Sequence, residues 1–210
     1  MNEKMNAAET AATNERVTIV SGLPRSGTSM MMQILEAGGV PVLTDNARHP
    51  DEDNPRGYYE FEAVKRVQRD ASWLHDARGQ VVKMVYRLLY DLPADHEYRV
   101  IFVKRPLEET VASQDEMLRR NGNSSADMSE AQLVAIYRRQ LRDIETWLQA
   151  QPNFSTLYVD YHDVLADTAS VVDEINDFLG GCLDTDAMRA VPDRSLYRQR
   201  RDPRSFSAAS

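Results

Sequence analysis

The 210-residue chain has one cysteine, Cys182, four histidines and no excess of positive charge. A single cysteine excludes an internal disulfide and any cysteine-cluster metal site, and it suits a reducing compartment. Cys182 is expected to be a buried apolar residue. No stretch approaches the roughly 20 apolar residues that span a bilayer, and residues 1–15 carry no hydrophobic signal core, so no integral membrane segment is expected. With 33 Asp and Glu against 25 Lys and Arg the net charge is −8. That balance argues against a general nucleic-acid or membrane-surface binder, which needs a basic face. What remains is a soluble chain, expected in the cytoplasm, with a loose tail over residues 1–15 and length enough for one domain with a sizeable core.

The most informative stretch runs from Val17 to Gly39. Val17 to Val20 is apolar and β-branched, Ser21 to Gly27 is rich in turn formers, and Thr28 to Ala37 carries Met30, Met31, Ile34 and Leu35 before the Gly38-Gly39 stop. This order reads strand, loop, helix. The loop holds Gly22-x-x-x-x-Gly27-Thr28-Ser29, the spacing of a phosphate-binding loop (P-loop) whose backbone N–H groups wrap phosphate oxygens at a helix N-terminus. The ATPase form has Lys after the second glycine. Here that position is Thr28 and the nearest cation is Arg25, which suggests a phosphate-like ligand other than ATP with magnesium.

Val40 to Leu43 reads as a short strand, and Thr44 to Gly57 is polar and too long for a simple connection, so it is a candidate binding loop. Glu62 to Asp70 reads as helical. Gln80 to Tyr86 and, more clearly, Tyr98 to Lys104 read as strands, the second with the unbroken apolar run of a strand buried on both faces. Leu107 to Arg120 reads as a helix, with Pro106 near its start and Glu108 and Glu109 in the first turn where carboxylates suit the dipole. Ser129 and Gln132 form a capping-box pattern before a helix whose apolar face is Leu133, Tyr137, Leu141, Ile144 and Leu148. Thr156 to Asp160 is a last strand, and Thr168 to Leu179 a helix capped by Asp167 and closed by Gly180-Gly181. The expected fold is a single α/β domain over residues 16–193, a mostly parallel sheet flanked by helices, with ligands at the carboxyl ends of the strands. A basic segment, residues 194–210, follows.

Several side chains could carry chemistry. Arg105 stands at the carboxyl end of the Tyr98 to Lys104 strand and Ser113 lies two turns into the next helix; alone they read as a surface arginine and a helix serine. Lys83 sits in an apolar strand, where a lysine costs energy unless it is paired or near the strand end. His49, His75, His96 and His162 have no partner at metal or triad spacing and read as loop or surface residues. Glu60, in Tyr58-Tyr59-Glu60-Phe61, stands beside aromatic groups that could raise its pKa towards the range of a general base; it reads equally as an exposed carboxylate beginning a helix.

The loop, Arg105 with Ser113, and the segment from Tyr158 to Asp167 running on to Phe178-Leu179-Gly180 together resemble the sulfotransferases that use 3′-phosphoadenosine 5′-phosphosulfate (PAPS). The resemblance spans about Val17 to Arg201 and is closest to bacterial members with an Asn-Pro-Arg-Gly-Tyr-Tyr-Glu stretch, here Asn54 to Glu60. It implies that Arg25, Ser26, Gly27, Thr28 and Ser29 hold the 5′-phosphosulfate, that Arg105 and Ser113 bind the 3′-phosphate, and that the basic C-terminal segment, with Arg198, Arg200 and Arg201, covers the donor. In the animal enzymes a Lys-Thr-His run supplies the catalytic histidine. The corresponding run here is Lys83-Met84-Val85, so Lys83 keeps its implied place beside the transferring group while Val85 stands where the histidine would be.

A sulfuryl group carries less negative charge than a terminal phosphoryl, so its transfer can be served by side-chain cations and backbone N–H groups, and no metal is expected to be required. The expected catalytic residues are Arg25, Lys83 and, because some family members use a glutamate as base, Glu60. The acceptor is a small molecule, a carbohydrate or a lipid bearing a hydroxyl or amine; no nucleic-acid partner is expected, and no pattern encodes an oligomeric state. Two alternatives stand. One is a phosphate-loop kinase or NTPase using ATP with magnesium, supported by Ser29 and by Asp160 at a strand end. The other is a non-catalytic nucleotide-binding domain, supported by Val85.

Overall fold

The computed structural model describes residues 16–45, 57, 59–120, 122 and 128–193. Among them, strands β1 (Val17–Gly22), β2 (Val81–Lys83), β3 (Tyr98–Lys104) and β4 (Phe154–Asp160) form one parallel sheet in the order β2-β1-β3-β4. Helices α1 (Thr28–Ala37), α2 (Leu107–Arg120), α3 (Glu130–Ala150), α4 (Tyr161–Ala166), α5 (Thr168–Leu179) and α6 (Thr185–Arg189) connect and cover it. No helix among the described residues is long and apolar enough to cross a membrane.

Strand periodicity divides the core in two. Val17, Ile19, Val100 and Phe102 point to one face, where Trp73, Leu89, Ile144 and Leu148 cover them. Val20, Ile101 and Val103 point to the other and pack against Met31, Ile34, Leu35, Val172 and Ile175. Both central strands are therefore buried on both sides, which is what their unbroken apolar runs require. The chain leaves β1 for β2 on one side and returns to β3 on the other. This reversal lies between β1 and β3, the place where open α/β sheets bind ligands.

The capping patterns form as the sequence indicates. Ser129 and Gln132 make a complete capping box at α3, and Asp167 caps α5 by accepting from the Ser170 amide. Elsewhere the structure departs from expectation. Val40 to Leu43 makes only a single parallel bridge, Val42 with Val81, because Pro41 has no N–H to extend the ladder. The strand expected from Gln80 to Tyr86 ends at Lys83 after three residues. Its last tie to β1 is the Met84 amide donating to Val20 O, after which Tyr86–Asp91 turns into a 3₁₀ helix. The segment from Glu62 is likewise 3₁₀ only as far as Arg66. Cys182, expected to be buried, is exposed just after the left-handed pair Gly180-Gly181 that ends α5.

Hydrogen bonds to Asp167 from Ser170, hydroxyl first and then amide, hold its carboxyl below the usual range. A lowered folded-state pKa contributes stability that is present above the unfolded value and lost as pH falls through the folded one. Asp167→Ala is expected to lower the urea midpoint at neutral pH, and the gap from wild type should close on acidification; paired urea titrations measure it.

Candidate active site at the carboxyl ends of β1 and β3

Parallel register sets Gly22 of β1 opposite Val103 of β3. The two chains therefore leave the sheet side by side, one into Leu23 to Gly27 and the other into Arg105. The contact is close: a Cβ on Gly22 would stand 2.6 Å from Val103 O and 2.6 Å from Ser26 Oγ. Backbone carbonyl oxygen cannot step aside as a flexible side chain would, so only glycine fits here.

The Ser26 amide donates to Leu23 O and closes the turn, and the Met31 amide donates to Gly27 O at the first turn of α1. Gly27, at φ 104°, is the N-cap of α1; it offers no side-chain cap, and the first turn holds no acidic residue. Such an N-terminus presents backbone N–H groups and a positive dipole end to an anion. Ser26 is 1% exposed, and its Oγ has no hydrogen-bond partner among the described residues. A buried hydroxyl at the turn of such a loop suits a phosphate oxygen. Arg25 holds φ 67°, a left-handed conformation costing on the order of 1–2 kcal/mol for a residue with a Cβ.

Contacts from the neighbouring elements hold that strained residue. Arg25 Nε donates to Ser113 Oγ at 3.1 Å, bridging 88 residues, and Arg105 Nη1 donates to Arg25 O at 3.3 Å. Arg25, Arg105 and Ser113, all singled out from the sequence, thus form one connected group. Lys83 joins from the far side, its Nζ 3.4 Å from Ser29 Oγ. Three cations from separate elements meet around one helix N-terminus.

Glu60 is positioned by a different set of contacts. Its carbonyl oxygen accepts from Thr44 Oγ1 at 2.8 Å and from the Asp45 amide at 3.2 Å, and Asp45 Oδ2 accepts from the Glu62 amide. These bonds close the base of the candidate loop that follows Thr44. Tyr59, at φ 52°, donates its hydroxyl to Glu36 of α1 at 2.6 Å, and the Glu60 carboxylate lies 3.8 Å from Lys65 Nζ. Arg198, Arg200 and Arg201 lie outside the described residues, as do His49, Asn54 to Arg56 and Tyr58. Val85 is 45% exposed just beyond β2. Asp160 caps α4, accepting from the His162 amide at 2.7 Å.

Three residues of the group were not singled out from the sequence. Glu109, 5% exposed, accepts from Arg105 Nε at 3.1 Å, and the same oxygen, Oε2, lies 3.1 Å from His162 Nε2. Tyr161 stacks under Arg105, whose guanidinium carbon is 4.7 Å from the ring centroid. Burial pushes the Tyr161 phenol up, partly offset by Arg105 and Arg25. Glu109 was legible only in its spacing, four residues after Arg105 on a helix start. Tyr161 and His162 lie in the Tyr158 to Asp167 segment that carries the resemblance, but the sequence assigns no role to Tyr161, and His162 reads there as a loop or surface residue, because their approach to Arg105 and Glu109 is made by the fold.

Fold and site together define a P-loop-type α/β protein with three cations gathered around a helix N-terminus at the switch point. The model of the sulfotransferase domain family matches residues 15–208, and the chain belongs to that family. Among solved structures, the mouse sulfotransferase SULT7A1 in complex with PAP is similar, with TM-score 0.54 and 18% identity over 84% of this chain and 62% of that one. The sulfotransferase STF1 from Mycobacterium tuberculosis is also similar, with TM-score 0.50 and 19% identity over 89% of this chain and 74% of that one. At these identities the likeness shows the shared fold, and the chain spans less than two thirds of the mouse protein's length. A search of curated protein sequences finds no match.

A Cβ on Gly27 would lie 2.4 Å from Tyr161 Cδ2, and φ 104° already disfavours any other residue. Gly27→Ala is expected to cost on the order of 1–3 kcal/mol. Urea unfolding of the purified variant gives the number.

Proposed function

We propose that the chain is an enzyme that transfers a sulfuryl group from PAPS to a hydroxyl or amine of a small-molecule, carbohydrate or lipid acceptor. The observation that carries this reading is the convergence of Arg25, Ser113 and Arg105 beside the uncapped start of α1. Membership of the sulfotransferase domain family supports the chemistry, and the PAP bound to the mouse relative is the desulfated donor.

The donor supplies an activated sulfur joined to its 5′-phosphate through a bridging oxygen. In an in-line displacement the acceptor oxygen or nitrogen bonds to sulfur as the bond from sulfur to the bridging oxygen breaks, and that oxygen leaves carrying the new negative charge. Loop N–H groups, Ser26 and the N-terminal end of α1 hold the 5′-phosphate. Arg25 and Lys83, reaching the same helix end from the loop and from β2, stabilise charge on the bridging and sulfuryl oxygens; fixed cations placed where charge develops are the largest catalytic contribution this site can make. Arg105 and Ser113 hold the 3′-phosphate and so orient the donor. Glu60, on the segment whose base is closed by Thr44 and Asp45, takes the acceptor proton.

Calorimetry on the whole chain without added metal should show PAP binding more tightly than adenosine 5′-phosphate. Arg105→Ala should erase roughly 10- to 100-fold of that preference, as expected for charge-assisted hydrogen bonds to phosphate. Binding only of ATP with magnesium would overturn the reading in favour of a kinase or NTPase. Lys83→Ala should leave PAP affinity within about threefold while lowering sulfuryl transfer to a responsive acceptor by about 10²–10³. Single-turnover assays with labelled donor separate the two effects.

A further inference from the structure

Three contacts among the described residues orient Arg105, and one of them comes from a carboxylate. Its Nε donates to Glu109 Oε2, its Nη1 donates to Arg25 O, and its plane lies over Tyr161. The Arg105 and Glu109 side chains are only 8% and 6% exposed. A carboxylate is an unexpected neighbour for a phosphate-binding arginine, since its charge repels the ligand. Glu109 therefore weakens phosphate binding through its charge unless it returns something through its geometry.

The geometry supplies the return. An arginine on the loop after β3 has many rotamers, and fixing a long side chain costs conformational entropy at the moment of binding unless it has been fixed beforehand. Glu109 is on the first turn of α2, four residues on, so its carboxylate meets the Nε edge of the guanidinium and turns the Nη edge towards Arg25. His162, from α4, meets the same oxygen at 3.1 Å and gives the carboxylate a second contact from a separate element. Among the described residues, the groups facing Glu109 include Arg105 from the β3–α2 loop and His162 and Tyr161 from α4, with Arg25 next to Arg105.

We propose that Glu109 is a positioning residue for donor selection: by holding Arg105 in a fixed orientation, with His162 as its second anchor, it sets the preference for a nucleotide bearing a 3′-phosphate. This rests on the donor site proposed above. In donor selection the carboxylate acts through the shape of the bond it accepts and not through its charge.

The two contributions are separable because Glu109→Gln keeps an oxygen where Arg105 Nε donates and removes the charge, whereas Glu109→Ala removes both. The test is calorimetry of PAP and of adenosine 5′-phosphate with wild type, Glu109→Gln, Glu109→Ala and His162→Ala. Wild type prefers PAP. Glu109→Gln should keep that preference or increase it, while Glu109→Ala should lose about tenfold of it, the worth of an oriented charge-assisted contact. The adenosine 5′-phosphate affinity should stay within about threefold in every variant, a constancy that general loosening of the fold would not give. His162→Ala should fall between Glu109→Gln and Glu109→Ala. A Glu109→Gln protein that loses the preference overturns the proposal even if Glu109→Ala does not fold. So does a folded Glu109→Ala that keeps the preference, or one that loses both ligands equally. A wild type without any preference for PAP would instead remove the donor reading itself, and the positioning role with it.

Discussion

Everything in the site depends on the close parallel approach of β1 and β3 at their carboxyl ends. Gly22 stands opposite Val103 with no room for a methyl group, and this sends the anion loop and the Arg105 segment out of the sheet as neighbours. A side chain at position 22 would push the strands apart and separate Arg25 from Arg105. Packing beneath is equally constrained, since Ile19, Val100 and Phe102 on one face and Val20, Ile101 and Val103 on the other are all buried. The rigid two-sided core fixes the spacing, and the spacing fixes which side chains meet.

Local charge opposes the charge of the whole. A chain of net charge −8 gathers Arg25, Lys83 and Arg105 around the positive end of one helix. Cations so placed repel one another, and the fold offsets part of this through the buried Glu109 and the face of Tyr161. Under the proposed donor reading, the bound phosphates offset the rest. Electrostatic strain of this kind, together with left-handed Arg25 and the buried hydroxyl of Ser26, is concentrated where binding can relieve it.

Local signals in the sequence were enough for much of this. The strand, loop and helix from Val17 to Ala37, the helix from Leu107 to Arg120 and the capped helix from Thr168 to Leu179 stand where apolar period and capping chemistry put them. The resemblance paired Ser113 with Arg105 and set Arg25 in the separate 5′-phosphosulfate loop; the bond from Arg25 to Ser113 was not legible, because 88 residues separate them and no local rule brings them together. Glu109 looked like an ordinary first-turn carboxylate suited to the helix dipole; its bond to Arg105 is a local i,i+4 contact, and what the sequence could not show is the second contact, from His162 of α4. The strand at Val81–Lys83 is shorter than its apolar pattern because Met84 is the last residue tied to β1. Cys182 was misread for a similar reason: hydrophobicity suggested burial, but the left-handed glycine pair before it carries the chain out to the surface.

The most direct test of the central claim is a crystal structure of the whole chain with PAP. The account predicts the 5′-phosphate against the Leu23 to Gly27 loop, within hydrogen-bonding reach of Ser26 and the start of α1, and the 3′-phosphate on Arg105 and Ser113. PAP bound away from the β1–β3 switch point, or bound there with its two phosphates exchanged, would contradict it.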